Sequence, residues 1–333
     1  MNQFASESGL GLGLDLEGGA KNKQKQKQKQ KAQPQAPSTA VNLLQCNPKT
    51  LQHTKTTCLP LESLIHLRDK WNELYPKHMI PTTVKSKDEL WSLLRDRLKN
   101  QYKCDTEYCA VEELGLGLNE GNTTIQQYFR PKKPASWLKK PNEWHDSVSL
   151  ANVMEQYEAA HPSFEFIGPV PIDFDKKPDG LGSCIVNELC ALNLEDLKRK
   201  GKTSIGIIFN LDPHDKPGSH WVCAFIDLKQ GAAFYFDSYG MKPEPQIKRL
   251  LERCYEQGCH SIVWNDYRHQ RKSSECGTYC LYVLTSLLNN RDFGDICKNI
   301  VDDDTMLSVR DLLFANRNPS VLARTKGVMV LSE

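Results

Sequence analysis

The chain has 333 residues, which is enough for one large domain or two domains of ordinary size. Hydrophobic residues make up 39% of it and charged residues 25%, the proportions of a globular protein in water. Because 43 basic residues nearly balance 41 acidic ones, the net charge of +2 argues against a protein that depends on neutralising the phosphates of duplex DNA. No apolar run reaches the ~18 residues of a membrane span, and the N-terminus lacks the basic and apolar regions of a secretory signal.

The twelve cysteines are spread along the chain, and no Cys-x-x-Cys pair occurs. The close pairs are spaced too irregularly for a structural zinc site: Cys104/Cys109, Cys254/Cys259 and Cys276/Cys280. Without a secretory signal, we expect reduced thiols in a cytosol-like compartment.

Residues 1–57 are predicted to form a disordered, low-complexity tail. It contains a stretch of alternating Gly and Leu at 9–14 and an alternating Lys/Gln tract from Lys21 to Lys31. Such a composition cannot bury enough apolar surface to offset the entropy of ordering. The basic tract is able to contact nucleic acid or anionic lipid, but a solvated tail is the simpler interpretation.

Residues 58–112 are predicted to form a small helical arm. Apolar side chains recur at helical spacing in two stripes: Leu61, Leu64, Ile65, Leu67 and Trp71, then Leu90, Trp91, Leu94 and Leu98. Ser86 and Glu89 have the spacing of a capping box at the start of the second helix. Residues 113–146 are predicted to be a basic linker containing Pro and Gly, and its clusters at 130–133 and 139–140 offer a second place for nucleic acid to bind.

From residue 147 to residue 333 the pattern predicts an α+β domain in which helices flank a mixed central sheet. Strands are expected at 164–167, 204–210, 220–228, 232–237 and 261–265. Helices are expected at 149–160, 186–200, 245–257 and 276–288. Lys229-Gln230-Gly231 fits a hairpin turn between the third and fourth strands.

The last of these helices begins with Cys276-Gly277. A cysteine at a helix N-terminus lies at the positive end of the helix dipole, which favours the thiolate. A glycine beside it lets a substrate come close to the sulfur. Taken alone, the pair is better explained by a buried cysteine that opens a core helix. Cys280, one turn further along, is interpreted as a core residue.

Three other residues make a catalytic interpretation of Cys276 the better one. His220 and Asp237 stand at the outer ends of two strands joined by a hairpin, so they come out side by side. A carboxylate in that place fixes the tautomer of the imidazole and directs the ring at a nucleophile. Gln270, six residues before the cysteine, can donate an amide N–H to a developing oxyanion, with the backbone N–H of Cys276 as the second donor.

Each of these residues also has an ordinary structural explanation. His220 can be an edge-strand histidine, Asp237 a turn cap and Gln270 a polar loop residue. The hairpin connects the first two, which is why their joint occurrence favours chemistry. Asp227 is the alternative acid, but on the same strand it would lie ~23 Å from the His220 end.

His220-Trp221, Asp237-Ser238, Gln270 and Glu275-Cys276-Gly277 together resemble the signature of the adenain-like cysteine proteases. This group includes the SUMO proteases, the adenovirus proteinase and the maturation proteases of large DNA viruses. The resemblance implies a papain-like or adenain-like fold, with His220 as base, Asp237 as its orienting acid and Cys276 as nucleophile. Gln270 would be the oxyanion donor, and no metal or organic cofactor would be needed. Cleavage after Gly-Gly is also implied, in a channel lined by Trp221.

The segments 64–109 and 164–174 are similar to the members from large DNA viruses. We therefore expect an endopeptidase that processes viral structural precursors at Gly-Gly-Xaa sites, in the host cytoplasm or in the virion. SUMO proteases carry a second, upstream tryptophan in the channel. This chain has no tryptophan between Trp144 and Trp221, which argues against a tunnel of that kind. The one Gly-Gly pair, Gly18-Gly19 before Ala20, is compatible with self-cleavage, although low complexity explains it as well.

Three other functions stay open. The first is an isopeptidase for SUMO or another ubiquitin-like protein, which differs only in its substrate. The second is an acetyltransferase, since bacterial effectors reuse this fold and a similar triad, but no basic site for acyl-CoA or inositol phosphate is recognisable. The third is a binding module with a decayed site, which the four intact positions disfavour.

Overall fold

The computed structural model describes residues 45–104, 106–115, 127–178, 182–272 and 274–317. Most of the predicted tail, including Gly18-Gly19, therefore lies outside the described residues. Helix α1 (Pro48–Leu51) belongs to the folded part, and the Asn47 Oδ1 caps its first turn by accepting the Thr50 N–H at 2.7 Å. Cys46 is fully buried, so the folded arm includes residues 45–57, which the sequence assigned to the tail.

Three longer helices form the arm: α2 (Leu61–Leu74) and α3 (Lys87–Tyr102), which the two apolar stripes predict, and α4 (Glu107–Glu113), which they do not. The stripes of α2 and α3 share one apolar core, which includes Leu64, Leu67, Trp71, Leu90, Leu94 and Leu98. The predicted N-cap of α3 is present, because the Ser86 Oγ accepts the Glu89 N–H at 3.4 Å.

The segment 127–138 does more than connect the arm to the rest of the chain. Phe129 pairs with Cys46 and is buried in the arm core. Trp137, in a short 3-10 helix, is buried in a different core, that of the second part. Ala315, near the end of the described residues, returns to the arm core and bridges to Lys132. The division at residues 58, 113 and 147 stays a prediction, with contacts of this kind running across it.

Six of the twelve cysteines form disulfides in the structure: Cys46–Cys58, Cys104–Cys109 and Cys184–Cys190. The expectation of reduced thiols is wrong for these six. Two of the pairs lie in the arm, whose small apolar core is of the kind that gains from cross-links. Cys276 and Cys280 keep free thiols.

The second part of the chain is built on a five-stranded mixed sheet whose strands lie in chain order: β1 (Phe164–Pro171), β2 (Ser204–Asn210), β3 (Trp221–Asp227), β4 (Ala232–Phe236) and β5 (Ser261–Trp264). β1 runs parallel to β2, the pairs β2–β3 and β3–β4 are antiparallel, and β5 runs parallel to β4. The predicted α+β class is therefore confirmed. β1 is longer than predicted, because it continues after a shift in register between Ile167 and Val170.

Helices cover both faces of the sheet. On one face lie α5 (Ser147–Ala160), α9 (Cys276–Leu288), α10 (Phe293–Lys298) and α11 (Asp303–Leu313). On the other face lie α6 (Asn187–Cys190), α7 (Leu194–Arg199) and α8 (Pro245–Glu256). The single helix predicted at 186–200 is thus two helices, because the Asn193 Oδ1 accepts the Asp196 N–H at 2.9 Å and starts a new one.

Helix α9 forms the centre of the first face. Every residue from Cys276 to Leu287 is buried, and the helix packs on β3, α5 and α11. β3 serves both cores, since Cys223 and Phe225 belong to the one with α9 while Val222 and Ala224 belong to the other. Within the described ranges, no helix has both the length and the apolar character needed to cross a membrane.

Replacing Leu284 by alanine should lower the free energy of unfolding by about 2–5 kcal/mol. Leu284 is fully buried in α9, and alanine keeps the helix while leaving a cavity. Urea denaturation followed by circular dichroism measures the loss. Leu138→Ala is the control, because Leu138 is 76% exposed, and it should change stability by less than about 0.5 kcal/mol. Equal losses in the two variants would contradict the role of α9 as the central core helix.

Candidate active site

The hairpin of β3 and β4 brings His220 and Asp237 together. Cys223 lies opposite Phe236 in the register, so the residues at the open ends of the two strands meet at one end of the hairpin. The His220 Nε2 lies 2.7 Å from the Asp237 Oδ1. Asp237 is buried and accepts a second hydrogen bond from the Tyr239 N–H at 2.9 Å, which holds its carboxylate in place.

Cys276 is the first residue of α9 and lies near the same end of the β3–β4 hairpin. The His220 ring also lies close enough to the Cys276 side chain for the sulfur to raise the pKa of the imidazole. Since Nε2 is engaged by Asp237, the ring nitrogen directed at the sulfur is Nδ1. The thiol is buried at the N-terminus of a helix of 13 residues, where the helix dipole favours an anion.

Gln270 lies in the loop before α9, beside Ser238. Its N–H donates to the Ser238 carbonyl at 2.8 Å, and its Oε1 accepts the Ser238 hydroxyl at 2.6 Å. The Nε2 of the same amide is buried and has no hydrogen-bond partner among the described residues. A buried donor without an acceptor costs about 1–3 kcal/mol. An acceptor supplied by a ligand, such as a developing oxyanion, would remove this cost.

The alternative acid, Asp227, lies at the other end of β3. Its Oδ1 accepts the N–H groups of Lys229 and Gln230 at 2.9 Å each, so it caps the hairpin turn. The structure therefore leaves Asp227 out of the site. No group of three or more potential metal ligands occurs within the described part of the chain.

Trp221 follows His220, and its indole N–H donates to the His145 carbonyl at 3.0 Å. It lines a cavity of about 810 Å³ together with Trp144, which is 44% exposed. We expected no second tryptophan at the channel because none lies between these two residues. Trp144 itself was overlooked, although it stands three residues before the start of α5, where the apolar pattern begins.

Two further residues close to His220 were not predicted. The Tyr239 ring stacks on the His220 ring, with centroids 4.7 Å apart and planes at 26°. The Arg268 guanidinium lies 5.5 Å from the centre of the Tyr239 ring, and its Nε donates to the Gln270 carbonyl at 3.0 Å. The stack restrains the imidazole and connects it to the loop that carries Gln270. The only signal in the sequence was the position of Tyr239, two residues after Asp237.

A buried ion pair involves the residue immediately before Cys276. The Glu275 carboxylate is 3.0 Å from the Nη2 of Arg310, and the two side chains are 2% and 1% exposed. Arg310 comes from α11, 35 residues further along the chain. No local pattern connects it with Cys276, so sequence reasoning did not find it.

Burial lowers the pKa of His220, but the hydrogen bond with Asp237 and the neighbouring Cys276 side chain outweigh burial and raise the pKa to about 9. At neutral pH the ring is therefore an imidazolium, which stabilises a neighbouring thiolate. An imidazolium between a carboxylate and a cysteine is an arrangement suited to nucleophilic catalysis.

Residues 194–311 match the C-terminal catalytic domain of the Ulp1 protease family. A candidate thiol protease of Acanthamoeba polyphaga mimivirus is 26% identical over 294 residues, which cover 82% of this chain and 93% of that protein. A cysteine protease of African swine fever virus is 25% identical over 287 residues, which cover 78% of this chain and 97% of that protein. The crystal structure of the African swine fever virus protease superposes with a TM-score of 0.56 at 18% identity. The superposition covers 81% of this chain and 95% of that protein, so the two share the fold.

Residues 194–311 are thus similar to an Ulp1-type peptidase domain, and the α+β fold of the chain is that of the African swine fever virus protease. It is a cysteine-type peptidase whose relatives above are viral thiol proteases. The acetyltransferase and the decayed binding module are therefore not retained as alternatives.

Replacing Asp237 by asparagine should lower the pKa of His220, because the hydrogen bond with this carboxylate is the largest contribution that raises it. In the native protein the His220 ring should titrate with a midpoint at about 9, measured by NMR of labelled histidine. In the variant the midpoint should fall toward the ordinary value of about 6.5. His161, whose pKa is lowered by burial, is an internal control that should titrate alike in both proteins. An unchanged His220 midpoint would contradict the described contact.

The same titration predicts a pH dependence of stability. Because the pKa of His220 is raised in the folded state, protonation of this ring stabilises the native protein fully below the unfolded value of about 6.5. That contribution is lost as the pH rises through about 9. Urea denaturation on both sides of this window should show a larger loss of stability at high pH in the native protein than in Asp237→Asn.

Proposed function

We propose that this peptidase cleaves the bond after a Gly-Gly pair, with Cys276 as nucleophile and His220 as general acid and base. Asp237 orients the imidazole, and Gln270 donates to the oxyanion. The observation that carries this proposal is the His220 ring, which is hydrogen-bonded to Asp237 at 2.7 Å and has its pKa raised by the neighbouring Cys276 side chain as well. A nucleophile, a base and an orienting acid in such contact are the parts of a cysteine hydrolase.

The reaction begins when the Cys276 thiolate attacks the carbonyl carbon of the second glycine and the carbonyl electron pair moves onto oxygen. This oxyanion accepts hydrogen bonds from the Gln270 Nε2 and the Cys276 backbone N–H. As the C–N bond breaks, the His220 imidazolium gives its Nδ1 proton to the leaving amine, and a thioester remains. Neutral His220 then takes a proton from water, whose oxygen attacks the thioester carbonyl. The C–S bond breaks, and the carboxyl product leaves a thiolate beside the imidazolium.

Selectivity for glycine is supported by the crowding around the nucleophile. The His145 ring packs so closely on Gly277 that a Cβ added there would come within 2.9 Å of the His145 Cβ. Trp221 is held to the same residue by its indole N–H, and Trp144 lines the cavity with it. Aromatic side chains held in this way next to Gly277 would leave little room for a side chain on the residue that is attacked.

We propose a viral structural precursor as the substrate, cleaved in the host cytoplasm or in the virion during maturation. The support is that the relatives with sequence similarity over most of this chain come from two viruses. A nucleic-acid contact through the basic linker is proposed for Lys139 and Lys140, which are exposed. Lys133, by contrast, pairs with Asp311 at 2.5 Å.

A peptidase for SUMO or ubiquitin-like conjugates is the second candidate. Another relative from African swine fever virus, 29% identical over 287 residues, carries the name SUMO-1 cysteine protease. Activity on a Gly-Gly-Xaa peptide library, measured beside a SUMO-fused reporter, separates the two candidates. Efficient cleavage of the peptides with slow cleavage of the reporter favours the precursor protease. Slow cleavage of the peptides with efficient cleavage of the reporter favours the peptidase for SUMO or ubiquitin-like conjugates. Equal cleavage of Ala-Ala-Xaa peptides would reject the Gly-Gly preference.

Replacing Cys276 by serine should abolish cleavage of a Gly-Gly-Xaa peptide, because a hydroxyl next to His220 does not ionise at neutral pH. Cys280→Ser makes the same change in a buried cysteine one turn along α9 and should retain cleavage. Initial rates are compared at equal folded concentration, checked by circular dichroism. Native activity in Cys276→Ser would remove this residue from the mechanism.

Replacing Gln270 by alanine should lower kcat by a factor on the order of 10²–10³, since one of two oxyanion donors is lost. Alkylation of Cys276 by iodoacetamide needs no oxyanion hole and should keep its native rate. Ser238→Ala removes the hydroxyl that orients the amide and should cost less, about tenfold in kcat. If Gln270→Ala slows alkylation as much as it lowers kcat, the amide supports the nucleophile and not the oxyanion.

A further inference from the structure

Arg310 is buried between the start of α9 and the segment that precedes Trp144. Its Nη2 donates to the carboxylate of Glu275, the residue immediately before Cys276, at 3.0 Å. Its Nη1 donates to the carbonyls of Pro141 and Glu143 at 3.1 and 2.7 Å. The guanidinium carbon also lies 4.2 Å from the centre of the Trp137 ring.

The backbone that Arg310 holds leads directly into Trp144, which lines the cavity with Trp221. A single side chain therefore contacts the turn that carries the nucleophile and the loop that carries a tryptophan of the cleft. Its several donors satisfy groups on both sides at once, which only the forked guanidinium allows.

A second path of hydrogen bonds connects the start of α9 with His145, the residue after Trp144. The Thr278 hydroxyl donates to Glu275 at 2.8 Å, so its oxygen accepts from the His145 Nε2, which is 3.0 Å away. Burial and the Arg310 cation lower the pKa of His145, so the ring is neutral with its proton on Nε2. The His145 carbonyl in turn accepts the Trp221 indole N–H.

We propose that Arg310 is a positioning residue of the peptidase. It fixes the separation between Cys276 and the loop that carries Trp144, and it neutralises the carboxylate of Glu275, the residue before the nucleophile. The proposal rests on the role of Cys276 given above. Arg310 contacts no reacting atom, and its effect passes through Glu275 on one side and through the carbonyls before Trp144 on the other.

The charge of Arg310 matters because Glu275 is the residue immediately before Cys276. A carboxylate left there without a cation would oppose the thiolate by like-charge repulsion, in a site from which water is largely excluded. A lysine supplies the charge, but its single ammonium cannot reach Glu275 and two carbonyls in the planar arrangement of a guanidinium. Charge and geometry can therefore be tested separately.

Three variants separate the two effects. Arg310→Lys keeps the charge and loses the fork, whereas Arg310→Met loses both. The double variant Glu275→Gln/Arg310→Met removes both charges, a replacement that buried ion pairs often tolerate. Arg68→Met, a buried arginine in α2 of the arm, is the matched control. Each protein is measured for the pH dependence of Cys276 alkylation by iodoacetamide, read by mass spectrometry, and for kcat and KM on a Gly-Gly-Xaa peptide.

Arg310→Met should move the alkylation profile to higher pH by about one unit or more, and the double variant should restore it. Arg310→Lys should keep the native profile and lower kcat/KM by about tenfold or more, because Cys276 and the loop that carries Trp144 are no longer held at one distance. Arg68→Met should change neither quantity.

A native alkylation profile in Arg310→Met, or a shift that the double variant does not restore, would overturn the electrostatic role. Native kcat/KM in Arg310→Lys would overturn the positioning role, and that variant decides the matter should Arg310→Met not fold. Failure of the proposed nucleophile would give a different result. Cys276→Ser would then cleave at the native rate, whatever pH dependence of Cys276 alkylation the Arg310 variants showed.

Discussion

The burial of α9 sets the position of the Cys276 sulfur. From Cys276 to Leu287 every residue is buried, so the helix cannot shift without opening a core that it shares with β3 and α11. Interiors packed at crystal-like density resist such displacement. The first turn of the helix is therefore held at a fixed place relative to the strand end that carries His220. Cysteine and histidine meet in this structure without any loop having to close over them.

Because Cys276 emerges from the core, its polar surroundings are buried as well. Asp237, Glu275 and Arg310 are removed from water, and each has charged or polar partners at normal hydrogen-bond distances. Gln270 differs, since the Nε2 of its amide has no partner among the described residues. The Arg310 Nε also has no partner among the described residues, but the Gln270 Nε2 is the donor whose cost of desolvation a substrate oxygen would relieve.

The parts of the site that the sequence predicts are those that local patterns determine. Strand periodicity and the turn at Lys229-Gln230-Gly231 imply a hairpin, and a hairpin requires His220 and Asp237 to meet. Arg310 escaped notice because it reaches its partner across 35 residues, and no periodic pattern marks an exposed aromatic residue such as Trp144 as part of a cleft. The disulfides likewise depend on how the chain folds back. The helix at 186–200 was mispredicted for a local reason, since a capping asparagine is hard to tell from one inside a helix.

The course of the chain after α11 bears on how the molecule can be divided. Phe314 is buried in the core with α9, whereas its neighbour Ala315 is buried in the arm core, bonded through its backbone to Pro131 and Lys133. Excising the arm would uncover the segment that anchors the end of α11, the helix that carries Arg310. The sheet domain and the arm therefore share this C-terminal anchor, which a fragment without the arm would lose.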